Sequence, residues 1–317
     1  LSSRRGGSAT EGGDLARRYA VLDVFTDRAL AGNPLAVVLD SEGLDDVAMQ
    51  TIASEFGLPE TVFVLPPPRP GISARVRIFT PTKELPFAGH PTVGTAVLLA
   101  TDRLAGIDRE TDAVVVLAEE VGNVRCGVMI VPGGTGHAVF DMPRLPEEKP
   151  VHGDIGLAAS ALGLDRSDIG FENYVMSAFS AGGPAFLFLP IANLDAMRRI
   201  KRDMSLWGPG FGDPSINVYA FTHECVHRDG DFHARMFGPE LGIGEDPATG
   251  AAVAAFAGVV MRFDGASDGD RMLIVEQGYE MGRPSRIELE ITVEKARLTG
   301  GRIGGSAVIV ARGELYV

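Results

Sequence analysis

His90-Pro91-Thr92-Val93-Gly94-Thr95-Ala96 and Asp246-Pro247-Ala248-Thr249-Gly250-Ala251-Ala252 are two versions of one pattern, 156 positions apart. Each opens on a polar residue and a proline, then runs into Ala, Val and Leu on all sides. Proline suits the first turn of a helix, where its missing N–H costs no hydrogen bond. A helix that is apolar all round has to be enclosed by other elements. Two buried helices follow as the expectation, Pro91–Ala100 and Pro247–Met261, with His90 and Asp246 as their N-caps.

The flanking sequence repeats as well. Ala31-Gly32-Asn33-Pro34 and Ala181-Gly182-Gly183-Pro184 each precede an apolar run, at an offset of 150. Ala48-Met49-Gln50-Thr51-Ile52 echoes Ala196-Met197-Arg198-Arg199-Ile200 at 148, and Arg77-Ile78-Phe79-Thr80-Pro81 echoes Arg235-Met236-Phe237-Gly238-Pro239 at 158. Four pairs in one order argue for a duplicated domain. Strands are expected where β-formers cluster: Arg18–Val24, Leu35–Leu39, Val62–Leu65, Ala74–Phe79, Val114–Leu117, Val124–Val131, Ala185–Leu189, Ile216–Phe221 and Ile287–Val293. Asp229-Gly230 signals a two-residue hairpin before Phe232. The expected class is α+β, with two pseudo-symmetric domains, each a barrel-like, mostly antiparallel sheet around a central helix. The halves are drawn at 19–132 and 133–304, with strand 305–317 as a candidate to complete the first. Residues 1–18, rich in Gly and Ser, read as a leader or tag-like segment.

Composition bounds the rest. The 317 residues fit two domains of roughly 150 each. Forty glycines and 20 prolines make the chain turn-rich, and two cysteines exclude a disulfide scaffold. A net charge of −13 with no basic run excludes nucleic acid as a partner. No apolar run approaches the roughly 18 residues of a membrane span, so no membrane association and a cytoplasmic location are expected.

The two helix starts are the first candidate site. A helix N-terminus carries free N–H groups and about half a positive charge, so a pair of them at one cleft attracts a carboxylate. Gly89 and Gly244 lie just upstream of His90 and Asp246 and allow close backbone approach. Glu60 follows Gly57-Leu58-Pro59 and leads into a strand, which places an acid or base at the cleft edge. Pro214-Ser215, at the corresponding place in the second half, offers no carboxylate. One base instead of two suits proton shuttling by a single group.

Other clusters are decoys on geometry. His223 and His227 of His223-Glu224-Cys225-Val226-His227, read as one strand, lie about 13 Å apart, too far to share an ion. No metal is expected. Gly133-Gly134-Thr135-Gly136 and Gly208-Pro209-Gly210 read as turns, and Arg283-Pro284-Ser285 as either a substrate-side or a structural turn.

Gly32-Asn33-Pro34, Glu60-Thr61-Val62-Phe63-Val64, Arg77–Pro81, Glu84–Thr92, Glu245–Gly250, Gln277-Gly278 and Gly282-Arg283-Pro284-Ser285, taken in order, resemble the phenazine-biosynthesis PhzF family from about Tyr19 to the end. The resemblance implies the diaminopimelate-epimerase-like fold, a homodimer, and cofactor-free isomerisation by proton transfer on a small carboxylate-bearing substrate. It implies that Glu60 is the proton-transferring residue. His90, Asp246, Gly89, Gly250, Ala251 and Asn33 are then the expected substrate contacts. Ala251 departs from the family, which carries a serine there, so a hydroxyl contact to a phenazine precursor is lost. The related epimerases use a cysteine at each helix start. Here those places hold Gly89-His90 and Gly250-Ala251, with Cys126 and Cys225 in expected strands elsewhere. Two alternatives stay open: an amino- or hydroxy-acid epimerase or racemase, and a non-catalytic ligand-binding module of the same fold.

Overall fold

A computed structural model describes residues 16–240, 243–265 and 267–317. Its first half runs β1 (Ala16–Val24), β2 (Asn33–Val38), α1 (Asp46–Phe56), β3 (Glu60–Leu65), β4 (Ala74–Phe79), β5 (Glu84–Leu85), α2 (Gly89–Arg103), β6 (Thr111–Glu119), β7 (Gly122–Val131) and β8 (Thr135–Asp141). The second half runs β9 (Glu147–Lys149), α3 (Ile155–Ala161), β10 (Ser177–Ser180), β11 (Phe186–Pro190), α4 (Leu194–Arg199), α5 (Trp207–Phe211), β12 (Asn217–Thr222), β13 (Phe232–Gly238), β14 (Ile243–Asp246), α6 (Gly250–Phe263), β15 (Gly269–Gln277), β16 (Ser285–Glu294) and β17 (Arg297–Tyr316).

The order strand, helix, strand, two paired strands, long helix occurs in both halves, from β2 to α2 and from β11 to α6. Equivalent strands pair alike. Parallel pairs β2–β3 and β4–β6 recur as β11–β12 and β13–β15, and the other ladders are antiparallel. The sheet encloses the two long helices because neither has a polar face to turn to water. Val93, Ala96, Val97, Leu98 and Ala100 of α2, and Val253, Phe256, Val259 and Val260 of α6, are almost completely buried. Helix α2 packs on β6, β7 and β8, and α6 on β10, β16 and β17. A separate apolar cluster around Trp207 and Phe211 lies under α3, α4 and α5.

Strand β17 joins the halves. Its first part pairs with β16, its middle with β8, and Ala307–Tyr316 with β1. The boundary drawn at 132/133 falls in the β7–β8 turn, so β8 is bonded to the half before it. Most of the expected leader lies outside the described residues, but its last three residues, Ala16-Arg17-Arg18, open β1 against Tyr316-Leu315-Glu314.

Several local expectations are corrected. Neither helix starts where a His90 or Asp246 cap requires: α2 starts two residues earlier, with Ala88 as its N-cap, and α6 three residues later, with Thr249 as its N-cap. His90 lies inside the first turn of α2, and Asp246 ends β14. Strand β12 ends at Thr222, which pairs with His233, so residues 223–231 form a loop and Asp229-Gly230 is not a two-residue hairpin. Cys225 lies in that loop, whereas Cys126 is in β7 as expected. Gly208-Pro209-Gly210 sits within α5.

Candidate active site

The starts of α2 and α6 meet face to face. A Cβ on Gly89 would lie 3.0 Å from Gly250 Cα, and one on Gly250 would lie 3.2 Å from Gly89 Cα. Glycine is needed at both places for the two backbones to touch. Neither start has a side-chain cap, so the N–H groups of Gly89, His90, Gly250 and Ala251 lack a capping partner. All four residues line a cavity of about 360 Å³ between the halves, together with Glu60 and Asp246.

Glu60 is the first residue of β3 and is 7% exposed. Its Oε2 lies 3.3 Å from His90 Nε2, but neither atom has a hydrogen-bond partner. Burial without a donor, and next the charge of Asp246, hold the Glu60 carboxyl well above the usual carboxylate range. Burial pushes His90 down to about 3, so its ring is neutral. Asn33 Nδ2 lies 3.4 Å from His90 Nδ1, but its two hydrogens go to Asp246 Oδ1 and the Ala248 carbonyl at 2.8 Å each.

Asp246 is buried too, and burial raises it. Hydrogen bonds from Thr249 and Asn33 pull it back, and the Glu245 charge adds a smaller upward push. Its Oδ1 accepts from Asn33 Nδ2 at 2.8 Å and its Oδ2 from Thr249 Oγ1 at 2.5 Å. The two acids therefore differ: Asp246 has two donors and Glu60 has none.

Of the expected substrate contacts, His90, Asp246, Gly89, Gly250 and Ala251 line the cavity. Asn33 does not. It is fully buried behind the site and binds Asp246 and the Ala248 carbonyl, so its place is corrected from substrate contact to support. Thr249, Gln277 and Tyr219 were not anticipated as support. Gln277-Gly278 stood out only as a motif, and nothing in its spacing pointed to the Asp246–Thr249 turn. Arg283 proves structural: it binds Asp23 and the carbonyls of Ala31 and Gly32, next to Asn33. Among the described residues no group of three or more His, Cys, Asp or Glu is placed to hold a metal ion, and no helix is long and apolar enough to cross a membrane.

The halves are alike in backbone and unlike in chemistry. Leu35 pairs with Glu60 in the first half, and Phe186 with Asn217 at the equivalent place in the second. By the same correspondence Ala251 stands for His90, and Leu85 for Asp246. Leu85, Phe87, Pro184, Phe186 and Ala251 contribute apolar lining to the cavity.

Comparison with known proteins agrees with this architecture. Residues 22–313 match the family model described as phenazine biosynthesis-like protein. The chain is 33% identical to trans-2,3-dihydro-3-hydroxyanthranilate isomerase of Pseudomonas fluorescens, over 94% of this chain and 99% of that one. It is 49% identical to an uncharacterized isomerase of Mesorhizobium japonicum, over 95% and 99% of the two chains. The crystal structure of a PhzF-family phenazine biosynthesis protein from Bacillus anthracis superposes with a TM-score of 0.84 at 27% identity, covering 96% of this chain and all of that one. With two helix starts abutting at one cleft and isomerases matching over nearly the whole chain, this protein belongs to the phenazine-biosynthesis PhzF family of isomerases.

Proposed function

We propose that the protein is a cofactor-independent isomerase in which Glu60 moves one proton between two carbons of a small unsaturated carboxylate. The observation that carries this reading is the Glu60 carboxyl itself, buried at the cavity with no hydrogen bond while its counterpart is Asn217. Burial makes this acid hold a proton more tightly than an exposed carboxylate does, which suits a group that must both take and return one in general acid–base catalysis. The substrate carboxylate docks on the free N–H groups of Gly89, His90, Gly250 and Ala251. Ionised Glu60 takes a proton from a carbon conjugated to that carboxylate. The electron pair delocalises toward the carboxylate oxygens, where the helix N–H groups stabilise it. Glu60 then returns the same proton to a second carbon, and the double bond shifts with no net redox change. Neutral His90 and Asp246 meet the substrate's polar groups, Asp246 accepting from a substrate donor.

Glu60→Gln tests the assignment. Incubation with trans-2,3-dihydro-3-hydroxyanthranilate and simpler cyclohexadiene carboxylates in D2O, followed by NMR, reads isomerisation and exchange. We expect wild type to convert at least one acid and the variant to lose about 10²-fold or more while still binding it. Retained turnover in Glu60→Gln overturns the base. A second reading, epimerisation with Glu60 and Asp246 as opposed bases, is favoured by the fact that both are buried at one cavity. It predicts deuterium at a stereocentre with no double-bond shift.

A further inference from the structure

Gln277, at the end of β15, is fully buried and has every donor and acceptor committed around Asp246. Its Nε2 donates to the Asp246 carbonyl at 2.7 Å and to Thr249 Oγ1 at 2.9 Å, which uses both hydrogens. Its Oε1 accepts from Tyr219 Oη at 3.1 Å and from the Thr249 N–H at 3.3 Å. Turning the amide round would set its oxygen against the Asp246 carbonyl and its NH2 against the Thr249 N–H, so the orientation is fixed. Thr249 Oγ1 accepts from Gln277 and has a single proton left, which goes to Asp246 Oδ2.

The mirror position makes the contrast. Glu119 ends β6 as Gln277 ends β15, 158 residues earlier, as the pairs Ala74–Leu117 and Phe232–Val275 establish. There a carboxyl takes the amide's place, and Thr92 Oγ1, a turn inside α2, has Glu119 Oε1 at 2.8 Å and the Ala88 carbonyl at 2.9 Å as acceptors for its one proton. In the second half the strand residue is an amide that donates to the N-cap hydroxyl, Thr249 Oγ1, and this leaves the hydroxyl's proton for Asp246.

We propose that Gln277 is a positioning residue that polarises the relay Tyr219–Gln277–Thr249 toward Asp246, so that Asp246 works as the anion and Glu60 carries the mobile proton. The proposal rests on the use of Glu60 and Asp246 argued above. Its test needs no substrate, so it can fail or stand whatever happens to the isomerase reading.

The measurement is the titration of Asp246 in protein labelled with [13C]carboxyl aspartate, its signal identified by Asp246→Asn. Charged and titratable groups around Asp246 stay constant across three of the four variants: Glu60 on β3, His90 on α2, Tyr219 on β12, Glu245 with its partner Arg235, and Lys83, Glu84 and Glu240 at the cavity mouth. Thr249→Val removes the donor to Oδ2 and should raise the Asp246 midpoint by on the order of one unit. Gln277→Met frees the hydroxyl to turn and should raise it less. Gln277→Glu gives the hydroxyl a carboxylate acceptor in place of an amide donor and adds a charge, so the rise should be at least that of Thr249→Val. Thr249→Ser keeps the donor and should titrate as wild type. Wild-type titration in folded Thr249→Val and Gln277→Met overturns the relay. Should Gln277→Met fail to fold, Thr249→Val against Thr249→Ser decides its end on Asp246, and Gln277→Glu its origin.

Discussion

Burial costs a carboxylate its water, and three acids around α2 and α6 bear that cost in different ways. Asp246 is compensated by two donors, Glu60 by none, and Glu119 by the Thr92 hydroxyl alone, with its Oε2 unpartnered. Glu119 takes no part in the proposed chemistry, so it gives a clean stability test. Burial pushes it from 4.5 up to about 8, against the weaker pull of Thr92. The folded state then binds this proton more tightly than the unfolded one. Its stabilising effect is complete below pH 4.5 and is lost as pH rises toward 8. Glu119→Gln keeps an acceptor for Thr92 and removes the titration. We expect a urea midpoint near wild type at pH 4.5 and a gain on the order of a few kcal/mol at pH 9. A wild-type-to-variant difference that does not change with pH would refute this account of Glu119. At this scale the sequence was legible where chemistry is local. Glu60, His90 and Asp246 stood out as polar residues beside glycines and prolines. Asn33 stood out only through the family resemblance and for a substrate contact. The support roles of Asn33, Thr249 and Gln277 were not legible, because an amide or hydroxyl acquires such a role from a partner that for Asn33 and Asp246 lies 213 positions away.

Among the elements, the long helices and the strands with β-branched runs were readable because their patterns are periodic and apolar. What failed was chain direction at their ends. A polar residue before proline suggested an N-cap, but the Asp246–Thr249 turn, held by Gln277, delays α6 to Gly250. The His223–His227 stretch alternates like a strand, yet Glu276 accepts from the N–H groups of Val226 and His227 at 2.7 Å each and holds it as a loop. The contact between helix starts is the element-level feature most open to test. Alanine at position 89 gains at most about 1 kcal/mol of helix propensity. Its Cβ meets backbone atoms at 3.0 and 3.2 Å, which cannot rotate away, and overpacking of this kind costs about 1–3 kcal/mol. Gly89→Ala should therefore lower the denaturant midpoint, equivalent to about 1–2 kcal/mol net. An unchanged or raised midpoint would mean the helix starts are free to separate.

Across the whole molecule, two similar backbones carry one asymmetric site, and its geometry depends on how the halves are tied. Strand β17 ties them by pairing with β16 of the second half and with β8 and β1 of the first, and Arg283 ties them at a point. From the turn just before β16 its guanidinium reaches Asp23 Oδ1 at 2.5 Å and the carbonyls of Ala31 and Gly32 at 2.7 and 2.8 Å, while Gly32 N–H returns to the Pro284 carbonyl at 3.1 Å. The next residue, Asn33, holds Asp246 across the interface, so the clamp sets the distance between the polar groups of the two halves. Asp23 is 3% exposed and would be left a buried charge without its partner. Breaking such a pair costs about 3–5 kcal/mol when fully buried. Because the Arg283 side chain is 27% exposed, we expect about 2–3 kcal/mol for Arg283→Met. Asp23→Asn with Arg283→Met should cost less than the two single changes summed, because the double variant strands no charge. Additive losses in that cycle would show that Arg283 acts through its carbonyl contacts alone. If the clamp also sets the site, the Asp246 titration should move in Arg283→Met, although the substitution touches neither Asp246 nor any of its donors.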